Sequence, residues 1–105
     1  RWIGFTTKPK GVIRIDAGAV RALLEGGKSL LPAGIKAVEG EFGVGAPVAF
    51  KNGSGDILGI GLVNYCAGDI RKIMGLKTGE IKAVLGEKPY DEVIHRDNLT
   101  VTGEE

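Results

Sequence analysis

A Gly-Gly-Lys-Ser run at Gly26–Ser29 carries the residue types that close a phosphate-binding loop. Such a loop needs another glycine five residues before the second one, and this chain has Ala22 there. It also opens directly into a helix, whereas Pro32 would interrupt any helix that began after the serine. The sequence therefore predicts an ordered loop here and not a nucleotide site.

A second run, His-Arg-Asp-Asn at His95–Asn98, resembles the catalytic loop of protein kinases. In that loop a Leu follows the Asp and the Asn comes five positions later, whereas Asn98 here follows Asp97 directly.

Gly59 and Gly61 lack the third glycine of a dinucleotide fingerprint. The acidic residues are scattered, so no carboxylate pair for acid–base chemistry can be proposed.

The chain has one cysteine, Cys66, and one histidine, His95, so neither an internal disulfide nor a Cys- or His-rich metal cluster is expected. We interpret Cys66 as a small, half-buried side chain and His95 as a packed or hydrogen-bonded side chain beside a strand. No catalytic, cofactor-binding or metal-binding residue is predicted. That result favours a binding or regulatory module over an enzyme.

The 105 residues fit one domain, and 43% of them are hydrophobic, as in globular chains. The 14 basic and 13 acidic residues give a net charge of +1, which predicts no strong attraction to nucleic acid or membrane. No apolar run is long enough to span a membrane and no secretory signal is recognisable, so a cytoplasmic location is expected. Because the chain starts at Arg1 and not at Met, we expect it to be cut from a longer polypeptide. We interpret residues 1–9 as a linker or the start of the domain, 10–102 as the domain and 103–105 as a tail.

The 18 glycines are spread along the chain, which predicts many short elements joined by tight turns. The predicted elements are a strand at 11–15, a helix at 17–25, strands at 35–39, 47–51 and 57–65, two short helices ending at Gly75 and Gly86, and one or two strands within 93–101. This β-α-β-β-β-α-α-β order has too few helical crossovers for a doubly wound parallel sheet. It predicts a mainly β fold, a small barrel that is closed or nearly closed, with short helices at its ends.

Local signals place some side chains within these elements. Asp16 is expected to cap the first helix, and Thr78 the last one. In the strand at 57–65, Leu58, Ile60 and Leu62 alternate with glycines and are expected on the inward face. The glycines between them suit a bent strand or the close approach of another backbone.

Five stretches together resemble a known domain family. They are Asp16–Ala19, Gly27–Ile35, Val38–Gly43, Gly61–Tyr65 and Val93–Leu99. These stretches are similar to the PUA domain, a small module named after pseudouridine synthases and archaeosine transglycosylases. The similarity is greatest to the C-terminal PUA domains of the bacterial glutamate 5-kinase family, and it covers nearly all of residues 2–101. It implies a PUA-like pseudobarrel.

The resemblance also implies a parent enzyme. Glutamate 5-kinases phosphorylate the γ-carboxylate of glutamate with ATP and Mg²⁺, the first step of proline biosynthesis, in an amino-acid kinase domain that precedes the PUA domain. The ATP- and Mg²⁺-binding residues would then lie in that kinase domain, outside this sequence. The parent is expected to be a homo-oligomer, and this chain is expected to carry no catalytic residue.

PUA domains of RNA-modifying enzymes bind structured RNA through the first helix, the loop after it and the final strand. Carried over to this sequence, the resemblance implies an RNA-binding face formed by Gly18, Arg21, Lys28, Ser29 and Arg96. Gly18 would let a nucleic-acid backbone approach closely, and the cationic side chains of Arg21, Lys28 and Arg96 would contact phosphates. About three phosphate contacts would give a salt slope of roughly −2 to −3, and hence weak binding at physiological salt.

The second interpretation is that the domain has a regulatory or architectural role. Trp2, Ile3 and Phe5 form an aromatic and aliphatic cluster at the start of the chain, as at a contact between domains. The domain would then dock on its kinase domain or on a neighbouring subunit. Sequence alone leaves both readings open.

Overall fold

The computed structural model describes residues 8–101. Its strands are β1 (Val12–Ile15), β2 (Ile35–Glu39), β3 (Pro47–Lys51), β4 (Ile57–Leu62) and β5 (Leu99–Val101), and its helices are α1 (Ala17–Leu24), α2 (Ala67–Ile73) and α3 (Ile81–Leu85). Short 3₁₀ turns precede β2, α3 and β5. The predicted mainly β fold with short helices and its β-α-β-β-β-α-α-β order are confirmed.

The five strands form one sheet in the order β2-β1-β3-β4-β5. All neighbours are antiparallel except β1 and β3, which run parallel. The β3–β4 pair is a hairpin closed by residues 52–56, whereas α1 and the loop after it carry the chain from β1 back to β2. An isolated bridge joins Leu30 to Ile94, outside the five strands. The long loop after α1 is thereby tied to the last part of the domain.

The core lies between one face of the sheet and the helices. Its side chains come from every region of the described chain and are almost fully buried. Its largest members are Phe50, Ile13, Ile15, Leu30, Ile35, Ile70, Ile73, Ile81 and Ile94. Because each buried aliphatic side chain contributes about 1.5–3 kcal/mol relative to exposure, this one cluster accounts for most of the stabilisation of the fold.

The residues on the buried face of β4 are not the ones that the sequence pattern predicts. Gly59 and Gly61 are the buried positions, while Leu58, Ile60 and Leu62 are only half-buried. A Cβ at Gly61 would lie 2.7 Å from the Ile94 Cγ2, so glycine is required there by close packing. The predicted close approach is therefore correct, but it occurs on the core side of the strand, where large neighbours fill the space that the glycines leave.

Two predicted strand ends and one predicted helix cap also differ from the structure. β4 ends at Leu62, and the next residue, Val63, donates to the carbonyl of Ala46, directly before β3. The last strand is only Leu99–Val101, since residues 96–98 form a 3₁₀ turn. Thr78 does not cap α3: it lies inside the 3₁₀ turn at Thr78–Glu80, whose preceding residue is Lys77.

Candidate functional site

The first helix is fixed to the sheet by Asp16, the residue between β1 and α1. Its Oδ1 accepts a hydrogen bond from the Ala19 backbone N–H at 2.7 Å, which confirms the predicted N-cap. Its own backbone N–H donates to the Gly34 carbonyl at 2.9 Å. The cap carboxylate is thus engaged by the helix, and the start of α1 is held against the turn that leads into β2.

The packing in this corner is tightest at Gly34. A Cβ at Gly34 would lie 2.6 Å from the Ala19 Cβ, far inside van der Waals contact. Gly18 is different: it is exposed, and its Cβ would meet only the Asp16 Oδ1, at 3.4 Å. The space over Gly18 is therefore open, whereas close packing in the fold requires glycine at position 34.

The loop after α1 lies beside the segment that leads into β5. The Leu30 N–H donates to the Ile94 carbonyl at 2.9 Å, and the Val93 N–H donates to the Leu30 carbonyl at 2.8 Å. One step further out, the Ser29 Oγ accepts from the Arg96 backbone N–H at 2.9 Å. Three of the predicted RNA-face residues, Lys28, Ser29 and Arg96, are brought together in this way.

Two grooves flank α1. The loop groove, about 300 Å³, is lined by residues that include Ala19, Ala22, Lys28, Ser29, Leu31 and Ala33. The hairpin groove, about 430 Å³, is lined by residues that include Asp16, Val20, Arg21, Lys36, Asn52 and Ser54. The structure therefore places Arg21 in a different groove from Lys28. It also adds Lys36, an exposed residue directly after the buried Ile35 in β2, which sequence reasoning missed.

Few of the described cations form ion pairs, and those at the two grooves that flank α1 are among the unpaired ones. Arg14 and Arg71 are neutralised by Glu39 and Glu41, at 3.0 Å and 2.8 Å. By contrast, the exposed cationic side chains that line or adjoin the two grooves form no ion pair with any of residues 8–101. They are Arg21, Lys28, Lys36 and Arg96. The surface around α1 that carries these four cations, the α1 face, can therefore contact an anion, although Asp16 adds an acidic side chain to the lining of both grooves.

The lining of the loop groove is mainly aliphatic. Ala19, Ala22 and Ala33 are small, and Leu31 is 44% exposed. Neither groove has an aromatic side chain among the described residues that line it. Base stacking on aromatic rings, a main source of affinity for unpaired nucleotides, is thus not available from these linings.

In a second polar cluster, Asn64 and Tyr65 hold the connection after α3. Asn64 donates from Nδ2 to the Glu92 carbonyl at 3.0 Å. The Tyr65 hydroxyl donates to the Tyr90 carbonyl and accepts from the Tyr90 N–H, and the two rings meet edge to face. Burial raises the pKa of the Tyr65 phenol above its ordinary value. This cluster anchors the segment that carries Val93 and Ile94 into the core.

His95 and Cys66 each lie directly before a short helical element. The His95 Nδ1 accepts from the Asp97 N–H at 3.1 Å, in a turn that its own side chain caps. Cys66 is half-buried and precedes α2 without a capping hydrogen bond. Within residues 8–101, no three His, Cys, Asp or Glu side chains are grouped so that they could hold a metal ion. In the same range, no helix has the length and hydropathy needed to cross a membrane.

Trp2, Ile3 and Phe5, the predicted interdomain contact, lie outside the described residues. Within them, exposed large apolar side chains occur on several elements: Leu24, Leu31, Val44, Ile57, Val84 and Tyr90. Leu31 is distinct because it also lines the loop groove. The loop groove therefore combines an exposed apolar side chain with the unpaired cation Lys28.

The known sequences that resemble this chain include a domain family and a group of longer enzymes. The sequence pattern of the PUA domain matches residues 11–85. A glutamate 5-kinase from Syntrophus aciditrophicus (strain SB) is 63% identical over 100 residues, which are 95% of this chain and 26% of that protein. A glutamate 5-kinase from Moorella thermoacetica is 48% identical over 103 residues, which are 98% of this chain and 27% of that protein. The chain thus spans about a quarter of the length of the curated relatives it matches.

Solved structures agree on the fold. A crystal structure of a PUA domain from Aeropyrum pernix K1, in a tartrate complex, superposes with a TM-score of 0.65 over 90% of this chain and 45% of that one, at 22% identity. A conserved PUA domain protein from Thermoplasma acidophilum superposes with a TM-score of 0.56 over 90% of this chain and 50% of that one, at 20% identity. These likenesses concern the backbone architecture.

Proposed function

Since the chain belongs to the PUA domain family, we propose that it is the non-catalytic C-terminal PUA domain of a glutamate 5-kinase, where it acts as a regulatory and architectural module. In this proposal the parent enzyme works in the cytoplasm and phosphorylates glutamate with ATP and Mg²⁺ at the start of proline biosynthesis. Its amino-acid kinase domain binds both cofactors, and the PUA domain docks on that domain or on a neighbouring subunit of a homo-oligomer.

The observation that carries the proposal is the high identity to glutamate 5-kinases over almost the whole chain, together with the small share of those proteins that it spans. A domain that makes up about a quarter of an enzyme is not expected to hold the complete active site. Its contribution is expected to come through contacts with the remainder of the chain.

The Gly26–Ser29 run does not fit a triphosphate. It follows α1 and precedes a 3₁₀ turn, whereas a phosphate loop joins a strand to the N-terminus of a helix. Two of its N–H groups are already engaged, because Gly26 donates to the Arg21 carbonyl and Lys28 donates to the Ala22 carbonyl at 3.0 Å. We therefore assign no part of ATP binding to this chain.

The docking proposal can be tested in the Syntrophus aciditrophicus relative. Three forms are compared: the intact enzyme, a form without the region that matches this chain, and a form in which this chain replaces that region. Glutamate-dependent ATP turnover and the sedimentation of the oligomer are measured for each. Loss or change of either property on deletion, with recovery in the replacement form, is expected. If deletion changes neither, the regulatory and architectural role is wrong.

A second candidate function is binding of structured RNA. The observation that favours it is the set of four unpaired cations around α1, three of which belong to the face implied by the family. Phosphate contacts of this kind fix position on the nucleic acid but give little affinity when they are few. The aliphatic loop groove without aromatic side chains makes this the weaker of the two candidates.

A further inference from the structure

The hairpin loop between β3 and β4 contains an Asn-Gly dipeptide, Asn52-Gly53, on the edge of the hairpin groove. Asn52 is half-buried, while Gly53 and Ser54 are exposed. An asparagine followed by glycine is the dipeptide in which the next backbone nitrogen can most easily attack the side-chain amide, because glycine has no Cβ to obstruct the approach. The loop is therefore a candidate for chemistry that does not involve the proposed docking function.

The side chain of Asn52 is held within the hairpin loop by three hydrogen bonds, two with backbone N–H groups and one with the Asp56 carboxylate. Its Oδ1 accepts from the backbone N–H groups of Ser54 and Asp56, both at 3.0 Å. Its Nδ2 donates to the Asp56 Oδ2 at 3.2 Å. The contact to Ser54 closes an Asx turn that includes the peptide bond between Asn52 and Gly53. No hydrogen bond recorded among residues 8–101 uses the Gly53 N–H, so that group can lose its proton to solvent base.

We propose that Asn52 is a self-modification site, which deamidates through a succinimide in the folded domain. The Gly53 nitrogen, after losing its proton to hydroxide, bonds to the Asn52 Cγ. The bond from Cγ to Nδ2 breaks, and the amine leaves as ammonia with a proton taken from water. Water then opens the five-membered ring at either carbonyl and returns a proton to the Gly53 nitrogen. The net reaction consumes one water, releases ammonia and leaves aspartate or isoaspartate at position 52.

The two N–H groups on Oδ1 give the folded loop an advantage over a free peptide. Negative charge develops on Oδ1 when the Gly53 nitrogen attacks, and the Ser54 and Asp56 donors already point at that atom. Pre-positioned donors of this kind stabilise an oxyanion without reorganisation. Because the loop is open to water, we expect a gain of about tenfold, which is smaller than in a closed active site.

The modification changes the charge of the hairpin groove. Asn52 lines it together with Arg21 and Lys36, so a carboxylate at position 52 would face two cations that have no other ion-pair partner among the described residues. It would also stand beside the Asp56 carboxylate, which now accepts from the Asn52 amide. Deamidation therefore lowers the capacity of this groove to hold an anion.

The test incubates the purified chain at mildly alkaline pH and follows the conversion of amide to acid by mass spectrometry and ion exchange. Trypsin leaves Asn52 and Asn64 on one peptide, residues 52–71, so fragmentation of that peptide assigns the site. Asn64 and Asn98, which are followed by Tyr65 and Leu99, are internal controls. A synthetic peptide of residues 49–58 measures the rate without the fold.

Gly53→Ala is the matched variant. A Cβ at Gly53 meets no atom within 4 Å, and its φ does not lie in the left-handed region, so the fold should accept alanine. We expect Asn52 to convert first, about tenfold faster than in the peptide, and Gly53→Ala to slow it strongly at unchanged thermal stability. Conversion of Asn52 no faster than in the peptide, or no faster than that of Asn64 and Asn98, would overturn the proposal.

Discussion

The Ser29 hydroxyl accepts the Arg96 backbone N–H at 2.9 Å, which joins two loops that lie 67 positions apart in the sequence. Together with the Leu30–Ile94 bridge beside it, this contact brings the residues after α1 next to the residues before β5. The α1 face depends on this alignment, because Lys28 and Arg96 are not brought together by any single element.

We predict that Ser29→Ala lowers the free energy of unfolding by about 0.5–1.5 kcal/mol, the usual net contribution of one hydrogen bond. Urea unfolding measures this change. The amide proton of Arg96 should also shift and exchange faster in NMR spectra, because it loses its acceptor. Ser29→Thr keeps a hydroxyl and should restore both properties. An unaltered Arg96 amide in Ser29→Ala would show that the contact does not hold the two loops.

Gly34→Ala is predicted to destabilise the domain by about 1–3 kcal/mol, the usual cost of overpacking. The added methyl would lie 2.6 Å from the Ala19 Cβ, and neither backbone can move without disturbing the Asp16 cap. Gly68→Ala is the control, since its Cβ meets nothing within 4 Å. In a double-mutant cycle, Ala19→Gly should relieve part of the cost of Gly34→Ala. Additive effects of the two substitutions would contradict the close approach.

Tyr65→Phe is predicted to cost about 1–2 kcal/mol, since the buried hydroxyl bonds to both backbone groups of Tyr90. Tyr90→Phe is the control, because Tyr90 contributes its backbone and ring to this contact. Equal stability of Tyr65→Phe and the wild-type chain in urea would contradict the role of the hydroxyl.

Stability should also fall at alkaline pH. The raised pKa of Tyr65 means that the folded chain keeps a proton which the unfolded chain releases near the ordinary value of 10.0. The stabilisation is therefore complete below about pH 10 and is lost as the pH rises through the folded-state pKa. The decline of unfolding free energy above pH about 10 should be shallower in Tyr65→Phe. Parallel profiles for the two proteins would contradict this assignment.

If RNA binds the α1 face, Arg21→Ala and Lys28→Ala should each weaken binding at low salt and reduce the salt slope by about 1. Fluorescence anisotropy with a labelled tRNA at several salt concentrations measures both quantities. Lys82→Ala is the control, because Lys82 is an exposed cation on α3 and lines neither groove. Equal losses in all three variants would indicate non-specific attraction and not a defined face.

The elements could be predicted because their signals are local. The Asp16 cap, the spacing of apolar residues in the helices and the glycine turns all act within a few positions. The inward face of β4 could not be predicted, since the preference for Gly59 and Gly61 there depends on Phe50 and Ile94, which come from other parts of the chain. Likewise, no local signal places Arg21 and Lys28 in different grooves or adds Lys36 to the site.

The central claim is that this domain acts by docking on a kinase domain. The most direct measurement titrates the isotope-labelled chain with the separately produced kinase domain of the Syntrophus aciditrophicus relative and follows backbone amide shifts, with a tRNA mixture as the parallel ligand. The account predicts saturable shifts with the kinase domain that persist at moderate salt, and weak, salt-sensitive shifts with tRNA near Gly18, Lys28, Ser29 and Arg96. No shift with the kinase domain, combined with salt-resistant shifts from tRNA, would contradict it and establish RNA as the ligand.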